Sequence, residues 1–199
     1  TRQVMHPHGY RPLFQKNEAI ENGRRIARRL LGIDEPEFFF SMLIYKPPHH
    51  PHPTPWHQDL AYLQRPVAPA GIEAPQNAVI QFWMPLEDVD ETMGCMEFRP
   101  GVHRQPLLPH FVYSGSPEED HRLIAIEEPA LAALPPPVAC PVPAGWATVH
   151  NYNTPHFTGP NRSDRPRRAY IFSFQNVEAM AQFDARHPVA STRPKGIRI

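Results

Sequence analysis

Cysteine, net charge and long apolar runs are all scarce in this chain. Two cysteines, Cys95 and Cys140, among 199 residues cannot build a disulfide framework. They read as the reduced thiols of a cytoplasmic protein. Lys and Arg number 20, as do Asp and Glu, so the formal net charge is zero. That balance removes the electrostatic argument for a nucleic-acid partner or an anionic membrane surface. No apolar run approaches the roughly 18 residues that a membrane span requires. The opening Thr1-Arg2-Gln3 has neither a Met nor an apolar segment behind it, so no signal peptide is expected and the chain reads as cut upstream. What remains is long enough for one domain, residues 1–199, with a sizeable core.

Proline and histidine are what the chain has in quantity, 27 and 12 residues. Proline interrupts helix interiors and sheet ladders alike, so a chain this rich in it suits short strands joined by stiff loops. One stretch carries a helical pattern. Residues 17–31 place Ala19, Ile20, Ile26, Ala27, Leu30 and Leu31 on one stripe, with Asn17 as N-cap and Gly32 as stop. Strand patterns follow at residues 38–45, 78–85, 95–99, 138–142, 147–152 and 168–174. Between them lie a Pro/His loop at 47–55, a polar turn at 88–94, a polar loop at 114–121 and a Pro-rich connector at 131–137. The tail from Ala185 shows no element. Many short strands with Gly/Pro turns predict a sandwich or barrel.

The residues that carry chemistry start with Pro55-Trp56-His57-Gln58-Asp59-Leu60. Read as a strand, this segment sends the His57 imidazole and the Asp59 carboxylate to the same side. Two convergent ligands are half of a metal site, and Thr154-Pro155-His156 offers a third. Two His and one carboxylate leave three positions open, the facial triad of non-haem Fe(II) oxygenases. His49, His50 and His52 compete for the role. They sit in a Pro-Pro-His-His-Pro-His-Pro run whose prolines force extended backbone, and so read as a solvated loop near the site mouth. His150 also competes, with a packed or hydrogen-bonded imidazole as the plainer reading. Beyond His156 come Arg162, Arg165, Arg167 and Arg168. The last two open an apolar strand, so one of them faces inward and needs an anion. A dicarboxylate supplies one.

Taken together, four segments resemble the phytanoyl-CoA dioxygenase family of Fe(II)/2-oxoglutarate-dependent oxygenases. They are Met42 through Pro48; Trp56-His57-Gln58-Asp59-Leu60; Phe82-Trp83-Met84-Pro85-Leu86 with Gly94-Cys95 and Pro100-Gly101-Val102-His103-Arg104; and His156 through Asn161-Arg162-Ser163 to Arg167-Arg168-Ala169. The resemblance implies a mainly β fold, a double-stranded β-helix or jelly roll, with a flanking N-terminal helix. It implies iron on His57, Asp59 and His156. The family's co-substrate Arg lies 11 residues after the distal His, which selects Arg167. Trp83, Thr158 and Met42 match positions around 2-oxoglutarate, and Tyr62 and Gln58 are expected to meet the substrate. The chain departs from the family at Val102, in place of a small hydroxyl residue, and at Trp146, in place of an acidic one. Most of the family's N-terminal helical part is absent.

The activity implied is O2-dependent oxidation of an unactivated C–H in a small organic substrate, coupled to decarboxylation of 2-oxoglutarate to succinate and CO2. Desaturation, epoxidation and cyclisation belong to the same family. A halogenase on this fold needs the carboxylate position vacated, and Asp59 fills it. A zinc hydrolase has no use for Arg167 at that spacing. A non-catalytic jelly-roll sensor would carry a broken triad or lack the Arg. Neither substrate identity nor oligomeric state is written in the residues.

Overall fold

The computed structural model describes residues 1–63, 67–115 and 123–188. In chain order the strands are β1 (Arg2–Met5), β2 (Glu37–Lys46), β3 (Thr54–His57), β4 (Val79–Pro85), β5 (Met96–Phe98), β6 (His110–Ser114), β7 (Leu123–Ile126), β8 (Val138–Cys140), β9 (Thr148–Asn151), β10 (His156–Thr158) and β11 (Arg167–Gln175). The α-helices are α1 (Glu18–Leu31), α2 (Glu128–Ala132) and α3 (Val177–Arg186). A five-stranded sheet of order β1-β2-β11-β4-β9 and a four-stranded sheet of order β3-β10-β5-β8 form the jelly roll, with β6-β7 as a separate hairpin. All named strand pairs are antiparallel.

Period-2 alternation in β4 and β11 sorts the side chains between two environments. Ile80, Phe82, Tyr170, Phe172 and Phe174 point to one face of the large sheet, where α1 covers them with Ile20, Ala27 and Leu31. Phe82 and Phe172 stack with centroids 4.8 Å apart. Trp83, Ala169 and Ile171 point to the other face and meet Met93, Cys95 and Met96. The site lies on this second face, between the sheets.

Helix α1 begins where the sequence expects. The Asn17 side chain accepts from Ile20 N, and Gly32 ends the helix in the left-handed region. Gly23, within the helix, is a packing device. A β-carbon there would lie 2.6 Å from the Phe172 ring, so its absence lets the helix rest directly on the sheet.

Most strand expectations hold with ends shifted by a residue or two, as boundaries commonly do. β1, the β6-β7 hairpin and β10 carried too few residues of pattern to be read. Helix α3 is likewise not foretold by the pattern, although Asn176 caps it by accepting from Ala179 N. The connector expected at 131–137 is in part helix α2. The loop expected at 114–121 begins in β6, and its residues 116–121 lie outside the described residues.

Candidate metal and co-substrate site

The two histidines of the pair are cross-strand partners: His156 of β10 sits opposite His57 of β3. Their ring centroids are 4.1 Å apart. Asp59 does not share the strand with His57 as expected. β3 ends at His57, and Asp59 opens a short 3-10 helix, Asp59–Leu63. Two hydrogen bonds pull the chain out of the sheet: Gln58 N donates to His110 Nε2 at 3.1 Å, and Leu60 N to Tyr152 O at 2.9 Å. The carboxylate still converges. Asp59 Oδ1 lies 3.5 Å from His57 Nε2 and Oδ2 lies 3.7 Å from His156 Nε2. One ligand atom from each residue falls within 4.8 Å of the others.

The imidazoles are oriented by their rear nitrogens. His57 Nδ1 is 2.8 Å from Pro55 O, and His156 Nδ1 is 2.9 Å from Thr154 O. A carbonyl only accepts, so each Nδ1 carries the proton and each Nε2 presents a lone pair forward. Burial pushes the His156 pKa well below its ordinary value, with His57 adding to the effect. For Asp59, burial opposes ionisation, but the facing imidazoles of His156 and His57 outweigh it and hold the carboxyl well below the usual range. Two imidazoles turned with Nε2 forward and one carboxylate suit a divalent transition metal.

His150 is close, its ring 4.6 Å from that of His156, but it is packed rather than part of the triad. Burial lowers its pKa to about 4, with Asp59 pulling the other way. The Pro/His run is a separate, more exposed loop. His49 pairs with Asp164 at 2.8 Å, and His50 with the Thr1 hydroxyl at 2.8 Å.

Arg167 and Arg168 part company as alternation demands. Arg168 is 55 % exposed and pairs with Glu87. Arg167 is fully buried, its guanidinium 5.4 Å from the centroid of the Trp83 ring. Its NH1 reaches Gly94 O at 3.3 Å, and its buried Nε has no partner. Burial lowers its pKa to about 10, which leaves it charged at neutral pH. A buried guanidinium with donors to spare is a half-made carboxylate site. Gly94 lets its turn close against the backbone after β10. It takes φ +75°, and a β-carbon there would come within 2.4 Å of Gly159 O.

Lys46 sits across from Arg167 on β2 and is also fully buried. Burial and the Arg167 charge lower its pKa to about 6. Its Nζ donates to Thr158 Oγ1 at 3.2 Å and to Gly159 O at 2.8 Å. Thr158 thus accepts at its oxygen and keeps its own proton to donate into the cavity. Lys46 ends an aromatic strand, and its single charge was the only signal in the sequence.

The triad, Arg167 and Thr158 share one cavity of about 240 Å³. Met42, Tyr62, Trp83 and Thr158 line it together with the triad and Arg167. Its other walls are mainly apolar, including Met5, Phe39, Phe40, Leu63 and Leu123. The Pro/His loop contributes only Thr54 at its end. Gln58 is not on the wall. It is fully buried behind the pair, donating to Asn153 Oδ1 at 2.8 Å and accepting from Leu108 N at 3.0 Å. Its side chain is therefore spent on the scaffold, contrary to the expectation that it meets substrate.

His110 gives this scaffold a pH signature. It accepts from Gln58 N while its Nδ1 donates to Leu108 O at 2.7 Å, and burial lowers its pKa to about 4. In the unfolded chain the imidazole protonates near 6.5. As pH falls, the unfolded state therefore gains its proton first. The contribution of His110 is complete above pH 6.5 and is lost on the way to 4, by at most about 3 kcal/mol. Urea unfolding of the metal-free protein across this range should show stability falling, and His110→Gln should fall less steeply. Parallel curves would place the titration elsewhere.

Comparison with known proteins gives the chain a family and a fold. A family model described as phytanoyl-CoA dioxygenase matches residues 10–169. Phytanoyl-CoA dioxygenase domain-containing protein 1 of Bos taurus is 29% identical over 177 residues, 83% of this chain and 53% of that protein. Peroxisomal phytanoyl-CoA dioxygenase of Bos taurus is 38% identical over 73 residues, 35% of this chain and 19% of that protein. The chain spans about half the length, or less, of these curated relatives. Among solved structures, EvdO2 from Micromonospora carbonacea var. aurantiaca, complexed with 2-oxoglutarate, is 34% identical with a TM-score of 0.73, covering 88% of this chain and 67% of that one. EctD from S. alaskensis, with bound Fe, shares the fold at 21% identity and a TM-score of 0.69, covering 89% of this chain and 58% of its own. No helix among the described residues is long and apolar enough to cross a membrane.

Proposed function

We propose that this chain, which belongs to the phytanoyl-CoA dioxygenase family, is the oxygenase domain of an Fe(II)- and 2-oxoglutarate-dependent dioxygenase that hydroxylates an unactivated C–H of a small organic substrate. The observation that carries the reading is one cavity holding both a two-His, one-carboxylate cluster and a buried Arg with an unpartnered Nε. His57, Asp59 and His156 would hold the iron, and Arg167 with the Thr158 hydroxyl would hold the far carboxylate of 2-oxoglutarate. Bound iron supplies the activation of O2 that couples 2-oxoglutarate decarboxylation, to succinate and CO2, to substrate oxidation.

The protein's own part is orientation and exclusion of water. Trp83 and Met42, both on the cavity wall, would confine the co-substrate chain. Tyr62 stands edge-on to His57, centroids 5.7 Å apart, and its hydroxyl accepts from Ile124 N at 3.2 Å. That contact ties the β7 hairpin to the cavity mouth. Phe39, Phe40, Leu63 and Leu123 favour an apolar portion of the substrate at the reacting carbon. The unpaired thiols of Cys95 and Cys140 fit a reducing compartment such as the cytoplasm.

Calorimetry under anaerobic conditions should show 2-oxoglutarate binding to the Fe(II)-loaded protein and much more weakly to the metal-free protein. A substrate panel read by succinate formation and by oxygenated product should then find compounds that give the two in equal amounts. Equal 2-oxoglutarate affinity with and without Fe(II) would rule the reading out.

A further inference from the structure

We infer that Gln81 is the positioning residue for the Asp59 carboxylate, holding one oxygen so that the other alone is offered to the metal. The inference rests on Asp59 being a ligand, as proposed above. Gln81 lies on β4 beside Trp83, on the cavity side of the alternation, and is 6% exposed. Its Nε2 is 2.5 Å from Asp59 Oδ2 and 3.4 Å from His150 Nε2. Its Oε1 accepts from Ser173 Oγ at 3.0 Å, and Ser173 is its direct cross-strand partner on β11. Ser173 Oγ in turn accepts from Tyr152 OH at 3.3 Å.

The direction of every bond follows from the donor inventory. A carboxylate only accepts, so Gln81 presents its NH2 to Asp59. Its carbonyl then faces Ser173, which uses its single proton there and must receive from Tyr152. The second amide proton points at His150 Nε2, so His150 carries its own proton on Nδ1. That Nδ1 is buried and has no partner. The opposite amide orientation would press Gln81 Oε1 against a carboxylate oxygen at 2.5 Å. A buried network with all its donors in one sense has a single low-energy arrangement.

The consequence concerns coordination number. With Oδ2 engaged by Gln81, Oδ1 is the oxygen left for a metal. One-oxygen ligation by Asp59 plus two imidazoles leaves three octahedral positions, enough for a chelating 2-oxo acid and O2. Two-oxygen ligation would leave two positions, and the chelate would take both.

Co(II) is the probe, titrated into metal-free protein by calorimetry and visible absorption, beside thermal unfolding of the same metal-free samples. Gln81→Met keeps the side-chain length and removes the donor. It should weaken Co(II) about 10–100-fold, the usual cost of removing an outer partner of a ligand, and should change the visible Co(II) bands. Ser173→Ala should lose less and Tyr152→Phe least, in an order that the Tm values do not follow. Wild-type affinity and bands in Gln81→Met would overturn the inference. So would losses that simply track Tm across the three variants, which would make the chain a packing feature. If Gln81→Met does not fold, the ordered losses in Ser173→Ala and Tyr152→Phe still decide. Asp59→Ala is the control on the premise: wild-type Co(II) affinity there would overturn the ligand assignment itself, and the inference with it.

Discussion

Asp59→Ala abolishes Fe(II) binding and turnover, and so do His57→Ala and His156→Ala. Each removes one of the three proposed ligands from a cluster with no fourth donor among the described residues. His150 does not substitute, because its Nε2 faces the Gln81 amide and its ring is packed against Phe98 at 5.1 Å between centroids. Nor do the histidines of the Pro/His run, so His49→Ala, His50→Ala and His52→Ala keep wild-type affinity. Anaerobic Fe(II) titration with each variant checks both halves, and thermal unfolding without metal confirms that the triad variants fold. Wild-type affinity in Asp59→Ala would remove the carboxylate from the site. A large loss in His49→Ala would move the site to the loop.

Arg167→Ala has the second-largest effect, on 2-oxoglutarate rather than on iron. Truncating one member of a buried charge-assisted pair costs about 2–5 kcal/mol, which raises the apparent KM roughly 30-fold or more. Arg167→Lys should recover only part, because an ammonium lacks the planar fork that meets a carboxylate with two bonds. Arg168→Ala should change little, since its guanidinium is 55% exposed and engaged with Glu87. KM for 2-oxoglutarate measured for all three tests the order, and Fe(II) affinity should stay unchanged throughout. A steeper loss in Arg168→Ala than in Arg167→Ala would mean that the register of β11 in solution differs by one residue.

Both predictions concern residues that were legible in sequence, and the reason is local. The alternation Arg167-Arg168-Ala169-Tyr170-Ile171-Phe172 says that only one of two adjacent arginines points inward, and β11 obeys it. His57, Asp59 and His156 stand in short segments whose residue types and spacing resemble a family's metal motif. The helix at Glu18–Leu31 was legible because its cap, its apolar stripe and its terminating Gly all lie within 16 residues. The elements not foreseen are short or weakly patterned. β1 has four residues and only one of them even partly buried, and β10 has three.

By itself, then, the sequence determined the β-rich class, the helix, the candidate ligands and the inward Arg, because period, capping and motif spacing are local properties of the chain. The tertiary structure alone decided how those residues work together. Asp59 left the strand it was expected to share with His57 because Tyr152 and His110, from distant segments, hold the backbone on either side of it. Gln58 reads as a site residue by position and became scaffold because Asn153 and Leu108 satisfy its amide. Gln81 and Lys46 gave no sign of their roles, and their partners Ser173 and Thr158 lie 92 and 112 residues away. Burial makes such long-range pairing obligatory, since a polar group taken from water must find a partner. Which partner it finds depends on strand register, and register is a property of the assembled sheets.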